Sequence, residues 1–145
     1  MLKTVREING PAFQANQNAS VSVPTGTFTA LPINNEVYDT NSNFDPVTYR
    51  LTPTTPGYYQ IDAVANYFPD SGGNAFISIF KNGAEYIRGP AVTASTFFGL
   101  VASALVPMNG TTDYIDVRIF QGAAPQTYNP GPGLCTLSGS FARPL

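Results

Sequence analysis

Between Tyr58 and Asn66 the side chains change character at every second position. Tyr59, Ile61, Ala63 and Ala65 share one parity, while Tyr58, Gln60, Asp62, Val64 and Asn66 share the other. Successive side chains of an extended strand point to opposite faces, so this alternation predicts a strand with one face inside a core and one outside it. Pro53, Pro56 and Gly57 come just before. Proline lacks a backbone donor and fixes φ, and glycine opens turn conformations, so the chain enters this strand from a turn and not from a helix. A strand of this kind needs a sheet, and the sheet needs a second layer over its apolar face.

The remaining segments supply candidates for both layers. Pro11-Ala12-Phe13-Gln14-Ala15 opens the domain, after a leader or arm over residues 1–10. Val21 and Val23 predict a short strand stopped by Pro24-Thr25-Gly26, and Thr27–Leu31 a third with Phe28 pointing inward. Phe44–Leu51 precedes the strand described above. A turn cluster follows it at Pro69–Asn74, and Ala75–Lys81 then alternates Ile77 and Ile79 against Phe76, Ser78 and Phe80. Asn82-Gly83 provides the positive φ angles of a tight hairpin, and Glu85–Arg88 returns. Asn109-Gly110 offers a second hairpin turn before Tyr114–Phe120, with Ile115, Val117 and Ile119 inward and Asp116 and Arg118 outward. Residues 122–133 form the longest loop, and Leu137, Gly139 and Phe141 a closing strand. No segment carries a capped helical stripe. About eight to ten short strands at this spacing predict an all-β, two-sheet antiparallel sandwich.

One run exceeds what a sandwich can shelter. From Thr96 to Val106, bulk falls on both parities: Phe98, Leu100 and Val106 on one, Phe97, Val101 and Leu105 on the other. A strand apolar on both faces is covered on both, and a two-layer fold covers one. The expected second cover is a partner subunit.

The spacing of Ile33, Asp39, Phe44, Leu51, Gly57, Tyr59, Ile61 and Ala63 resembles, without a gap, the signature of the complement component 1q globular head, in the tumour-necrosis-factor-like superfamily. Ile33, Leu51 and Ile61 stand where that family has aromatics, and Ala63 where it has Phe or Tyr. Phe80-Lys81-Asn82-Gly83 and Leu137-Ser138-Gly139-Ser140-Phe141 extend the resemblance. It covers most of the chain from about Pro11, and implies a jelly roll over residues 11–145 that assembles as a homotrimer. In that arrangement one sheet of each copy surrounds the threefold axis. Parity then directs Asp62 and Val64 to the axis, with Phe98 and Leu137 as further interface candidates. Three Asp62 side chains meeting there could hold a cation such as calcium, as some members of that family do; the alternative is hydrogen bonding to polar neighbours across the interface. No cofactor or metal is assigned.

Composition limits chemistry more than fold. With 145 residues, 43% hydrophobic and 11% charged, the chain suits one compact domain whose surface depends on Asn, Thr, Ser, Gly and Gln. A net charge of −2 leaves no footprint for nucleic acid, and no apolar run reaches the length of a membrane span. The chain has no histidine, which removes Ser-His-Asp triads and His–metal sites. Cys135 is its one cysteine, with no imidazole to activate it. Asp113 and Asp116 have opposite strand parity and are expected to be turn and surface residues, not a catalytic pair. Asn18-Ala19-Ser20 and Asn109-Gly110-Thr111 fit the glycosylation pattern, which Asn-rich turns also produce by chance.

A non-enzymatic structural or interaction protein is therefore expected. The start at Met1 without a secretion signal, collagen repeat or heptad stalk, together with scarce lysine, is more like a bacteriophage virion component than an animal hormone. The leading expectation is a trimeric capsid decoration (cement) protein, assembled in the host cytoplasm and bound to the major capsid protein or another virion protein. The alternatives are a tail-fibre or spike module that reads a host surface, and a soluble extracellular recognition ligand.

Overall fold

The computed structural model describes residues 10–67, 72–94, 97–128 and 133–145, and every regular element among them is a β-strand. In chain order these are β1 (Ala12–Gln17), β2 (Val21–Val23), β3 (Thr29–Ala30), β4 (Ile33–Asp39), β5 (Phe44–Asp45), β6 (Arg50–Leu51) and β7 (Gly57–Tyr67). There follow β8 (Gly73–Lys81), β9 (Ala84–Arg88), β10 (Val92–Ala94), β11 (Phe98–Met108), β12 (Ile115–Gln121), β13 (Gln126–Tyr128) and β14 (Cys135–Arg143). The leader expected over residues 1–10 falls, up to Asn9, outside the described residues, as do parts of the segments near Pro69 and Thr96.

Two antiparallel sheets face each other. The first has the order β11-β7-β14-β1-β4; the second has β10-β8-β12-β6-β5, with β9 also on β8 and β3 on β12. A ribbon of β13 and β2 makes a third, two-stranded piece. The strand with the alternating sequence is β7, flanked by β11 and β14 along most of its length. Its Tyr59, Ile61, Ala63 and Ala65 are buried, as the parity predicts. Opposite them lie Ile77 and Ile79 of β8 and Ile115, Val117 and Ile119 of β12, all in one core cluster. Burying a side chain of this size stabilises by roughly 1.5–3 kcal/mol, so these rows hold the layers together. Gly139 leaves room for the side chains of its ladder partners Phe13 and Ile61 to close over it, because a Cβ there would stand 2.6 Å from Phe13 Cε1 and 2.8 Å from Ile61 Cδ1.

The turns follow local chemistry. Asn82 (φ 53°) and Gly83 (φ 81°) both lie in the left-handed region, which closes the tight β8–β9 hairpin. Asn109 behaves differently from the hairpin expectation: β11 and β12 belong to different sheets, so its turn is a crossover. Asn109 Oδ1 accepts from the backbone N–H groups of Thr111, Thr112 and Asp113, which makes that crossover rigid.

Three further expectations are corrected. The strand predicted at Thr27–Leu31 reduces to β3, and Leu31, not Phe28, enters the core. The two are an odd number of residues apart, so a strand that buries one turns the other outward. The long loop over 122–133 contains β13, whose Tyr128 is buried. The strands number more than eight to ten, because short pieces such as β3, β5 and β6 each form separate ladders.

Candidate assembly face

The two outer faces of the sandwich differ. On the second sheet, Phe76 and Phe120 stack with centroids 4.9 Å apart, and Phe28 lies edge-on to Phe76 at 5.9 Å and to Phe80 at 5.0 Å. Arg88 sits 4.4 Å over Phe76 and Arg118 4.2 Å over Phe80. Each guanidinium is held by a carboxylate: Arg88 donates twice to Glu85, and Arg118 twice to Asp116. The Arg88 pair draws the Glu85 carboxyl below its ordinary range, helped by the Ser78 hydroxyl at 2.7 Å. Asp116, expected as a surface residue, is buried beneath this layer. The strap from Pro24 to Leu31 is tied down by Gly26 N–H to Gln121 O and by Leu31 N–H to Val117 O. The chain thus covers both faces of β8 by itself.

Among the described residues, no such lid covers the outer face of the first sheet. On β11, Val101 and Leu105 are 51% and 46% exposed, and on β7 Val64 is 39% exposed. The ladders fix how they lie: Val101 pairs with Val64, which pairs with Thr136, and Leu105 pairs with Gln60, which pairs with Ser140. Between these rows run Ser103, Asp62 and Ser138. Ser103 donates to Asp62 Oδ1 at 2.6 Å, and the Gln60 amide donates to the same oxygen at 3.1 Å and to Ser103 Oγ at 2.9 Å. A shallow depression of about 120 Å3 opens beside them, lined by Tyr38, Gln60, Asp62, Ser138, Gly139 and Ser140. The face is therefore apolar along its β11 edge and finely polar at its centre.

Of the four interface residues proposed from the sequence, the structure brings Asp62 and Val64 to this face, both exposed. Leu137 and Phe98 are on strands of the same sheet but point the other way. Leu137 is 0% exposed and belongs to the core, and Phe98 is half-buried against that core. The physical reason is phase. Phe98 shares parity with the buried Leu100, and Leu137 with the buried Cys135, so the outward positions are Val101 and Leu105 on β11 and Thr136 and Ser138 on β14. The bulk on both parities of β11 is the signal that points to Val101 and Leu105.

Cys135 is buried, and that burial pushes its thiol up to about 12, far from the reactive thiolate range. Asp113 sits in the crossover turn, where Asn82 and Lys81 donate to it and draw its carboxyl below its ordinary range. Among the described residues no three His, Cys, Asp or Glu side chains are grouped to hold a metal ion. Among the same residues no helix is long and apolar enough to cross a membrane.

Two facing antiparallel sheets in this order define a jelly roll of the complement-1q and tumour-necrosis-factor type. No protein-family model matches the chain, and no curated protein matches it in sequence. Solved structures do match. The globular domain of zebrafish complement 1qA protein superposes with a TM-score of 0.63 at 17% identity, over 93% of this chain and 99% of that one. Murine APRIL superposes at 0.68 with 12% identity, over 92% of this chain and 100% of that one. The PRD1 vertex protein P5 superposes at 0.57 with 10% identity, over 94% and 99% respectively. At these identities the likeness establishes the fold.

Proposed function

We propose that this chain is a non-enzymatic homotrimer that serves as a virion structural component, a decoration (cement) protein bound to the outside of a capsid. The single observation that supports assembly is the face that the described residues leave uncovered, carrying Val64, Val101 and Leu105, in a chain that closes its other outer face with Phe28, Arg88 and Arg118. In this reading the β11 edge of one copy packs on the first sheet of the next, around an axis near Asp62. Removing these exposed aliphatic side chains from water favours such a contact. A closed threefold ring then presents identical loops together, which suits docking at threefold positions on a shell. The likeness to PRD1 vertex protein P5 supports the virion setting.

That same likeness favours a second reading, because a vertex is also a place for a spike. There the trimer is a spike or tail-fibre module whose loops bind a host surface. One experiment separates the two. Purified chain is mixed with capsids lacking it and, separately, with host cells, and bound protein is quantified. Saturable binding to capsids supports decoration, and saturable binding to cells alone supports the receptor reader. Binding to neither overturns both.

A further inference from the structure

Asp62 is the one charged side chain among the described outward residues of β1, β7 and β11, and of β14 as far as Ser140. Its Oδ1 accepts from the Ser103 hydroxyl and the Gln60 amide, and among the described residues nothing donates to its Oδ2. Arg50, Lys81, Arg88 and Arg118 are each paired with a carboxylate elsewhere. Arg143, on β14 at the foot of the same face, stacks on Tyr58 and has no carboxylate partner among the described residues. Upward from there the ladder rows run Tyr58 with Arg143, Gln60 with Leu105, Asp62 with Ser103, and Val64 with Val101. The described chain begins at that same foot: Gly10 lies against Phe141, whose N–H donates to Pro11 O.

We propose that residues 1–9 of the same copy lie extended along this face, antiparallel to β7, with Lys3 on Asp62 and Glu7 on Arg143. The residues before Gly10 match the rows in order. Taken at every second position they are Glu7, Val5, Lys3 and Met1. That sequence offers an acid to Arg143, an aliphatic side chain to the Leu105 row, a base to Asp62 and an apolar tip to Val64 and Val101. Two extended segments both advance about 6.6 Å per two residues, so one register serves all four rows. The other parity, Ile8, Arg6, Thr4 and Leu2, offers Arg143 no acid. Reach agrees as well. The strand of Arg143 is one spacing of about 4.8 Å from β1, and the three residues from Gly10 to Glu7 span up to about 10 Å. Removing Val64, Val101 and Leu105 from water supplies most of the attraction, while exposed ion pairs add little energy and set the register. The arm is then a strap over the assembly face of the free chain. The inference does not require the trimer reading; where copies close on this face, the strap leaves first.

Carbodiimide coupling of the native full chain tests this, because the reagent joins an amine to a carboxylate already in contact with it. The lysines of the chain are Lys3 and Lys81, and the Lys81–Asp113 pair at 3.0 Å serves as internal standard. An equal mixture of light and heavy-isotope chains is coupled across a dilution series and mapped by peptide mass. The expected product is a Lys3–Asp62 link within one copy, in about tenfold or greater excess over Lys3–Glu36. Glu36, exposed on β4, is a carboxylate that a tethered but unplaced arm reaches equally well. Equal yields overturn the proposal, as do links between copies only, or no Lys3–Asp62 link at any dilution while Lys81–Asp113 forms. The double exchange K3D with D62K is expected to give the reversed link, and its absence in a chain that keeps the Lys81–Asp113 link overturns the proposal too. A chain that forms the native link but sediments at 15.5 kDa at every dilution keeps the strap and removes the trimer reading, and a trimer without the link does the reverse.

Discussion

Ser103 of β11 donates a 2.6 Å hydrogen bond to Asp62 of β7, and the two lie directly opposite each other in the ladder. This contact marks the centre of the open face. Above it Val101 pairs with Val64, and below it Leu105 pairs with Gln60. Polar specificity and apolar adhesion are thus interleaved at the spacing of adjacent ladder rows.

Phe28 is a test of the self-made lid on the second sheet. F28A removes a ring that contacts Phe76, Phe80 and Phe120. Truncating such a ring at a partly covered site is expected to cost about 2 kcal/mol. Urea denaturation should report that loss, while the state of association at a given concentration stays unchanged. A change in association with no loss of stability would assign Phe28 to an interface instead.

Acid stability should depend on Asp113. Its carboxyl is drawn down by Asn82 first, then by Lys81 and the Asn109 N–H. A group lowered in the folded state stabilises above its unfolded value, and that stabilisation is lost as pH falls through the folded one. Stability of the native chain should therefore fall below about pH 4, and D113N should be less stable at pH 7 with a shallower acid decline. Thermal unfolding from pH 2.5 to pH 7 measures both. Parallel curves for the two proteins would show that Asp113 carries none of the linkage.

Cys135 should be silent in the native protein. It is fully buried in the core, with its thiol pushed up to about 12 by burial. Maleimide at pH 7.5 is expected to label it slowly, at a rate limited by opening, and rapidly in denaturant. Fast native labelling would place the residue at the surface.

The sequence shows the fold more fully than the face. Strand parity in β7 is legible because Tyr59, Ile61 and Ala63 meet no competing pattern on the opposite parity. The phase of β11 is harder to read, because Phe97 and Phe98 place equal bulk on both parities and only packing decides which enters. Leu137 shows the same limit: membership of a sheet does not tell which face a residue serves. Phe28 is misread for a related reason, since an aromatic in a short strand suggests a core, and the second core beneath Arg88 and Arg118 is assembled from β8, β9, β12 and the strap. Such a cluster has no local sequence period.

The exposed aliphatic row can be tested more directly than any other feature. Sedimentation velocity of the native chain and of V101D, across a wide dilution range, reads mass and shape together. The native chain should sediment as a species of three times 15.5 kDa, and V101D as a folded 15.5 kDa monomer with unchanged circular dichroism. A native chain that stays at 15.5 kDa at every concentration, or a V101D trimer indistinguishable from native, would contradict assembly through this face.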